Sequence, residues 1–245
     1  MRGSSRARPR EPSPARPSGA AVAPEGVSPA FWRLLLDEPL RDATVVDVGT
    51  GRGRIALALA PLVRRVVGVD RDPEAIAEAE QRAAAAGLSN VELVVADAET
   101  IALEHLIVPT EGGGLDLVVA HLYFADSLVA AAARALRPGG ALAAVAFHAD
   151  QWRETGRRSR FAYDEDQVRG LLAASGLALE HLTVERDVQT FASVEQALAA
   201  AIGLAERWRA DGRWFNYLKF LEEGGRTLTR SHLILKARRP GPHVR

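Results

Sequence analysis

Val45-Val46-Asp47-Val48-Gly49-Thr50-Gly51-Arg52-Gly53-Arg54 is the stretch on which the fold turns. An apolar, β-branched run ends in three glycines at alternate positions, and Ile55-Ala56-Leu57-Ala58-Leu59-Ala60 follows at once. The pattern reads as a buried strand, a tight turn and a helix whose first turn points free N–H groups at a ligand. Glycine lets backbone approach that ligand because no Cβ stands in the way. A nucleotide-like ligand is expected. A dinucleotide fingerprint would need a third glycine at position 54, where Arg54 stands. The G-x-x-x-x-G-K-[ST] phosphate loop is missing as well. The spacing observed is D-x-G-x-G-x-G.

Outward from this turn the chain alternates strand and helix. Arg65-Val66-Val67-Gly68-Val69-Asp70 is a second strand ending in an acid, 17 residues beyond Gly53. A carboxylate there can accept hydrogen bonds from ribose hydroxyls. Asp72-Pro73 already provides the N-cap and first position of the next helix, 73–86, which Gly87 ends. A third strand, Val91–Val95, leads to Ala96-Asp97-Ala98-Glu99, where Asp97 could also cap the following turn. A polar loop spans 109–114. The fourth strand, Leu115–Ala120, delivers His121-Leu122-Tyr123-Phe124 to the sheet edge. An Ala-rich helix over 125–136 ends at Arg137-Pro138-Gly139-Gly140, before an apolar strand Ala141–Phe147.

These landmarks, in this order over residues 45–148, resemble the class I S-adenosylmethionine-dependent methyltransferases. The resemblance implies a three-layer α/β/α sandwich on a mostly parallel, seven-stranded Rossmann-like sheet of order 3-2-1-4-5-7-6. It implies S-adenosylmethionine as cofactor. The glycine turn, Asp47, Gly49, Thr50, Gly51 and Gly53, would lie against its methionine and ribose part. Asp70 with Arg71 would serve the ribose, and Asp97 with Ala98 the adenine. His121 would contact the methionine end, or act as a general base where the acceptor must lose a proton. His148, ending the adjacent strand, is the second candidate base. The histidines are too scattered to suggest a metal site.

The remainder is individual. Ser28-Pro29 opens a helix to about Asp37, expected to pack on the sheet edge. Arg153, Arg157, Arg158 and Arg160 follow the fifth strand, with Glu154 among them. Asp164 caps a helix to about Ser175, and a sixth strand covers 177–188. Ser193-Val194-Glu195-Gln196 is a capping-box pattern opening a helix to about Ala210, and a last strand runs Thr229–Ala237. The 191–225 segment between the last two strands, with an aromatic cluster over 208–220, is read as an insertion: a lid, a pocket wall or a dimer surface. As a wall it would cover the methyl end together with 148–162, with Trp152, Phe161, Trp214 and Phe215 giving apolar contact.

Composition bounds the function. The 245 residues are 47% hydrophobic, enough for one sizeable domain, expected over 27–238. Residues 1–26, with five arginines against Glu11 and Glu25, read as a disordered, proline-rich basic tail, and 239–245 as a basic C-terminal one. Cysteine is absent, which excludes thiol nucleophiles and fits a cytoplasmic protein. No apolar run reaches the ~20 residues of a membrane span. The amino-methylating Asn/Asp-Pro-Pro-aromatic signature is absent, since residues 120–123 read Ala-His-Leu-Tyr. A small-molecule acceptor, anionic if Arg157 and Arg158 face it, is the first expectation. An RNA acceptor contacted by the arginine-rich tail and the 153–160 loop is the second. A non-catalytic S-adenosylmethionine-binding scaffold is the third. The chain would work alone or as a homodimer.

Overall fold

A computed structural model describes residues 22–106 and 113–241. Most of the N-terminal tail, most of the loop at 109–114 and the last four residues lie outside this range. Strand β1 (Thr44–Val48) is wholly buried, because a central parallel strand has helices on both faces. It pairs in parallel with β2 (Arg65–Asp70) on one side and β4 (Leu115–His121) on the other. Strand β3 (Val91–Val95) flanks β2, and β5 (Leu136–His148) flanks β4, both in parallel. The sheet then turns antiparallel through β8 (Thr227–Arg238) to β7 (Ala178–Thr190). Its order is β3-β2-β1-β4-β5-β8-β7. That is the expected order, with one added strand: Ala162-Tyr163, β6, pairs with Phe147-His148 of β5.

The period of two in β1 divides the sheet faces. Val46 and Val48 join a core with α4 (Asp126–Ala135) and α5 (Glu165–Ala174). Val45 joins the opposite one with α1 (Pro29–Leu36) and α2 (Arg54–Leu59). The expected caps form. Ser28 Oγ accepts from Ala30 N and Phe31 N, Asp72 caps α3 (Pro73–Ala85), and Asp164 with Gln167 closes a capping box on α5.

Three sequence expectations change. Strand β5 begins at Leu136, so the Arg137–Gly140 turn is absorbed into an irregular strand start. Gly140 passes so close to β4 that a Cβ would stand 2.6 Å from Leu115 O. The helix expected to reach Ala210 is broken: α6 (Val194–Ala201) gives way to a 3₁₀ turn at Ile202–Leu204 before α7 (Ala205–Asp211). Gly203, a poor helix former, sits in that turn. The reciprocal arm of the capping box at Ser193 lands one residue early, since Gln196 Oε1 accepts from Ala192 N at 3.1 Å. Beyond Gly212, α8 (Arg213–Glu222) completes the insertion. The insertion has a core of its own, where Trp208, Tyr217 and Leu221 meet Trp152 and Leu228.

Candidate active site

The carboxyl ends of β1, β2 and β4 open into a cavity of about 800 Å³. One end is walled by Gly49, Asp70, Asp97, Ala98 and His121. The other is walled by Trp152, the Arg157–Phe161 loop, and Arg207, Asp211 and Arg213 of the insertion. Segments distant in sequence therefore share one chamber, as a ligand site at a topological switch point requires.

The glycine turn is locked from below. Gly49 N and Thr50 N both donate to Val69 O, at 2.8 and 2.9 Å. Gly51 N donates to Asp70 Oδ2 at 2.7 Å, and Asp72 N to Asp70 Oδ1 at 3.0 Å. Asp70 thus ties the turn to the end of β2, and each oxygen keeps a lone pair for a ligand hydroxyl. The sequence reading of free N–H groups in the turn and at the start of α2 is therefore narrowed: the amides of Gly49, Thr50, Gly51, Gly53 and Ala56 bond within the protein. Glycine is required here on backbone grounds, with φ of +73°, +52° and +78° at Gly49, Gly51 and Gly53. A Cβ on Gly51 would meet only Asp70 Oδ2, at 4.0 Å, so open space lies beside the carboxylate. A Cβ on Gly53 would instead strike Leu57 Cγ at 2.9 Å, which makes that glycine a packing residue.

Asp47 and Thr50 lie under the turn and outside the cavity lining, at 1% and 6% exposure. Asp47 Oδ2 accepts from Thr50 Oγ1 at 2.7 Å and from Ala56 N at 3.1 Å. Burial pushes the Asp47 carboxyl up to about 6, against the lowering effect of those two bonds and with a further rise from the charge of Asp70. Its Oδ1 has no partner among the described residues. Gly68 in β2 leaves room for this arrangement, since a Cβ there would lie 2.9 Å from Thr50 Oγ1.

Asp97 borders the cavity and also caps the following turn, accepting from Glu99 N at 2.9 Å. Arg71 borders the same end. His121 ends β4 with its ring centroid 5.8 Å from that of Phe31, so α1 packs on the sheet and also touches the site. Burial, with the positive charges of Arg54 and His232, pushes the His121 imidazole down to about 4. The ring is therefore neutral at pH 7 and a weak base.

His148 is not among the residues lining the cavity. It is 6% exposed, Nδ1 accepts from Asp150 N at 3.2 Å, and Nε2 lies 3.2 Å from Glu165 Oε2. With both ring nitrogens engaged, His148 joins β5 to α5 and loses its standing as a base. Trp214 and Phe215, expected as pocket wall, are also elsewhere: Trp214 is in the insertion core, and Phe215 is 66% exposed.

Trp152 and Phe161, expected in the same wall, do line the cavity, whereas Leu122 and the charged residues Arg207, Asp211 and Arg213 have no individual signal in the sequence. Leu122 and Trp152 hold φ of +61° and +56°, the two non-glycine residues with positive φ among those described, and both line the cavity. Such strain gathers at functional sites, and no local sequence signal marks it in Leu or Trp. Arg207, Asp211 and Arg213 lie on helices whose Trp208 and Trp214 face inward, and the direction of their charged side chains is set by tertiary packing.

The comparisons fit this architecture. A family model described as a methyltransferase domain matches residues 45–140. A probable cobalt-precorrin-6B C(15)-methyltransferase (decarboxylating) of Methanothermobacter thermautotrophicus is 46% identical over 66 residues, 26% of this chain and 34% of that protein. An uncharacterized RNA methyltransferase of Halalkalibacterium halodurans is 38% identical over 81 residues, 31% of this chain and 18% of that protein. The chain thus matches only about a third or less of the length of these curated relatives. The crystal structure of an S-adenosylmethionine dependent methyltransferase from Mesorhizobium loti superposes with a TM-score of 0.54 at 20% identity, covering 86% of this chain and 96% of that one. With the glycine turn, the carboxylate ending β2 and the strand order in agreement, residues 45–140 match a methyltransferase domain, and the chain has the fold of the class I S-adenosylmethionine-dependent methyltransferases.

Proposed function

We propose that the protein transfers a methyl group from S-adenosylmethionine to a small-molecule acceptor held in the far half of the same cavity. One observation carries the reading: a single chamber joins the glycine-turn end to a wall built by the Arg157–Phe161 loop and the insertion. At about 800 Å³ it lies within the usual range for small-molecule sites. When bound, the cofactor supplies an electrophilic methyl carbon on a sulfonium. The protein's part is then to hold two partners in line and keep water out.

The residues divide that work. Asp70 accepts from the ribose hydroxyls while it fixes the turn. Gly49 and Gly51 provide close backbone, and Asp97 with Ala98 meets the adenine edge. Asp47, Thr50 and Gly53 act from beneath, by fixing the turn. Arg71 borders the ribose end. His121 serves as a neutral polar wall at the methionine end. Trp152 and Phe161 offer apolar faces to the acceptor. An RNA acceptor is the weaker reading, because the site is a walled chamber and not an extended cationic groove.

The test pairs calorimetry with a labelled-methyl assay on a cell extract split into RNA, protein and metabolite fractions. S-adenosylmethionine and S-adenosylhomocysteine should bind at low micromolar Kd, on the order of −7 to −8 kcal/mol. Label should enter the metabolite fraction. Label in RNA would reverse the choice of acceptor, and binding without transfer to any fraction would leave a scaffold.

A further inference from the structure

We infer that the acceptor carries a carboxylate or phosphate group, bound by an arginine subsite built from Arg157, Arg160 and Arg207. The inference rests on the methyl-transfer reading and names its substrate class.

Charge is divided along the cavity. Asp70, Asp97 and Glu99 stand at the glycine-turn end with Arg71. At the other end five arginines face one acid, Asp211. That acid is already engaged, since it pairs with Arg213, which is 7% exposed. Arg158 is engaged too: it donates to Ala162 O at 3.0 Å and to Gln167 Oε1 at 2.5 Å, and lies 3.5 Å from Asp164 Oδ2. Arg158, one of the two arginines expected with Arg157 to face an anion, is therefore a brace for α5.

Three guanidinium groups remain without a carboxylate among the described residues. Arg157 Nη1 donates to the backbone carbonyl of Asp211 at 2.6 Å, which leaves its charge uncompensated. Arg160 stacks over the Phe161 ring, 4.4 Å from its centroid. Arg207 has neither hydrogen bond nor ion pair among the described residues, and it lines the same chamber. Like charges gathered at one wall repel, so the arrangement needs a structural reason to persist. The fold supplies one by anchoring the loop. Arg213 Nε donates to Arg157 O at 3.3 Å, Asn216 Nδ2 donates to Thr155 O at 2.8 Å, and Glu154 binds Thr227 and Thr229 of β8. The loop and the insertion are thus one unit, and what they hold in place is a set of planar, fork-shaped donors suited to carboxylate or phosphate. Trp152 and Phe161 beside them offer an apolar face to the rest of the acceptor. The chamber must also take a nucleoside-sized cofactor, and the volume left over suits a metabolite more than a polynucleotide.

The test uses the full chain and its double variants Arg160→Ala/Arg207→Ala and Arg160→Lys/Arg207→Lys. Phenyl phosphate is titrated into protein loaded with S-adenosylhomocysteine, and a metabolite extract split on an anion exchanger is offered with labelled cofactor. Phenyl phosphate should bind the wild type, about tenfold more weakly the double alanine variant, and the double lysine variant in between. Acceptor activity should reside in the retained fraction, survive ribonuclease, and show a KM raised about tenfold in the alanine variant. Affinity for S-adenosylhomocysteine should stay within about twofold, which shows the variants folded. Acceptor activity in the unretained fraction, its loss to ribonuclease, or equal phenyl phosphate binding by wild type and alanine variant would overturn the subsite. A parallel fall in S-adenosylhomocysteine affinity would do so too, by assigning the arginines to the cofactor. Phenyl phosphate binding as expected with no methyl transfer to any fraction would instead sink the methyl-transfer reading alone.

Discussion

Asp70 and Asp47 are both acids beside the glycine turn, and the structure gives them different work. Asp70 faces the cavity and binds Gly51 N, so Asp70→Ala should weaken S-adenosylhomocysteine binding by about 1–3 kcal/mol in calorimetry, through a lost acceptor and a loosened turn. Asp47 is buried and titrates near 6, against 3.8 when unperturbed. The folded protein therefore holds this proton more tightly than the unfolded chain. The group's contribution to stability is most favourable below pH 3.8 and is lost as pH rises to about 6. Asp47→Asn keeps an acceptor for Thr50 and Ala56 and removes the titration. Relative to wild type, its unfolding free energy should gain about 2 kcal/mol between about pH 4 and about pH 7, measured by denaturant titration at each pH. A flat difference would mean that Asp47 ionises as an ordinary surface acid does. His121 shifts the other way, to about 4, so it is neutral throughout the physiological range. The pH profile of kcat should have no limb from His121 near pH 6–7, and His121→Asn should leave the profile's shape unchanged.

Among the elements, the short turn at Arg153–Thr155 does more than connect. Glu154 Oε1 accepts from Thr227 Oγ1 at 3.2 Å and Thr229 Oγ1 at 2.5 Å, and Oε2 accepts from Thr229 N at 3.0 Å. Thr229 is fully buried, so removing the carboxylate strands its N–H away from water. Glu154→Ala should lower stability by about 1–3 kcal/mol and raise the KM for acceptor, because Arg157 loses its footing. Cofactor affinity should not change. Denaturant melts with calorimetry separate the two effects, and a loss of cofactor affinity equal to the loss of acceptor binding would show that the turn supports the whole cavity instead.

At the scale of the molecule, three cores divide the labour. Two lie on opposite faces of the sheet and position β1, β2 and β4, while the third belongs to the insertion. Trp208 is fully buried at the centre of that third core, in edge-to-face contact with Trp152 at 5.4 Å and Tyr217 at 5.6 Å. Trp208→Ala should cost about 3–5 kcal/mol, felt mainly as local opening of the insertion. Hydrogen exchange should speed up in α6, α7 and α8 and stay slow in β1, β2 and β4. Acceptor turnover should fall while S-adenosylhomocysteine still binds. Uniform acceleration across the chain would show one cooperative unit in place of two.

The sequence by itself determined the alternation of strand and helix through β5, the caps at Ser28, Asp72 and Asp164, and the glycine turn with its carboxylate at Asp70, while the sheet order came from the resemblance those landmarks carry. These are local properties: side-chain period, positive φ at glycine, and a short polar side chain that reaches its own backbone two or three residues on. Only the tertiary structure decided which way longer side chains point and what they meet. It placed Asp47 beneath the turn and Asp70 beside the cavity, although both were read as cofactor contacts. It closed His148 into a network with Asp150 and Glu165. It tied Arg158, at the cavity wall, to α5 and brought Arg207, some fifty residues further along, to the same wall. An arginine side chain has several rotatable bonds and meets whatever acid or carbonyl folding brings near. Its partner is thus a property of the assembled chain, which no periodicity along the sequence encodes.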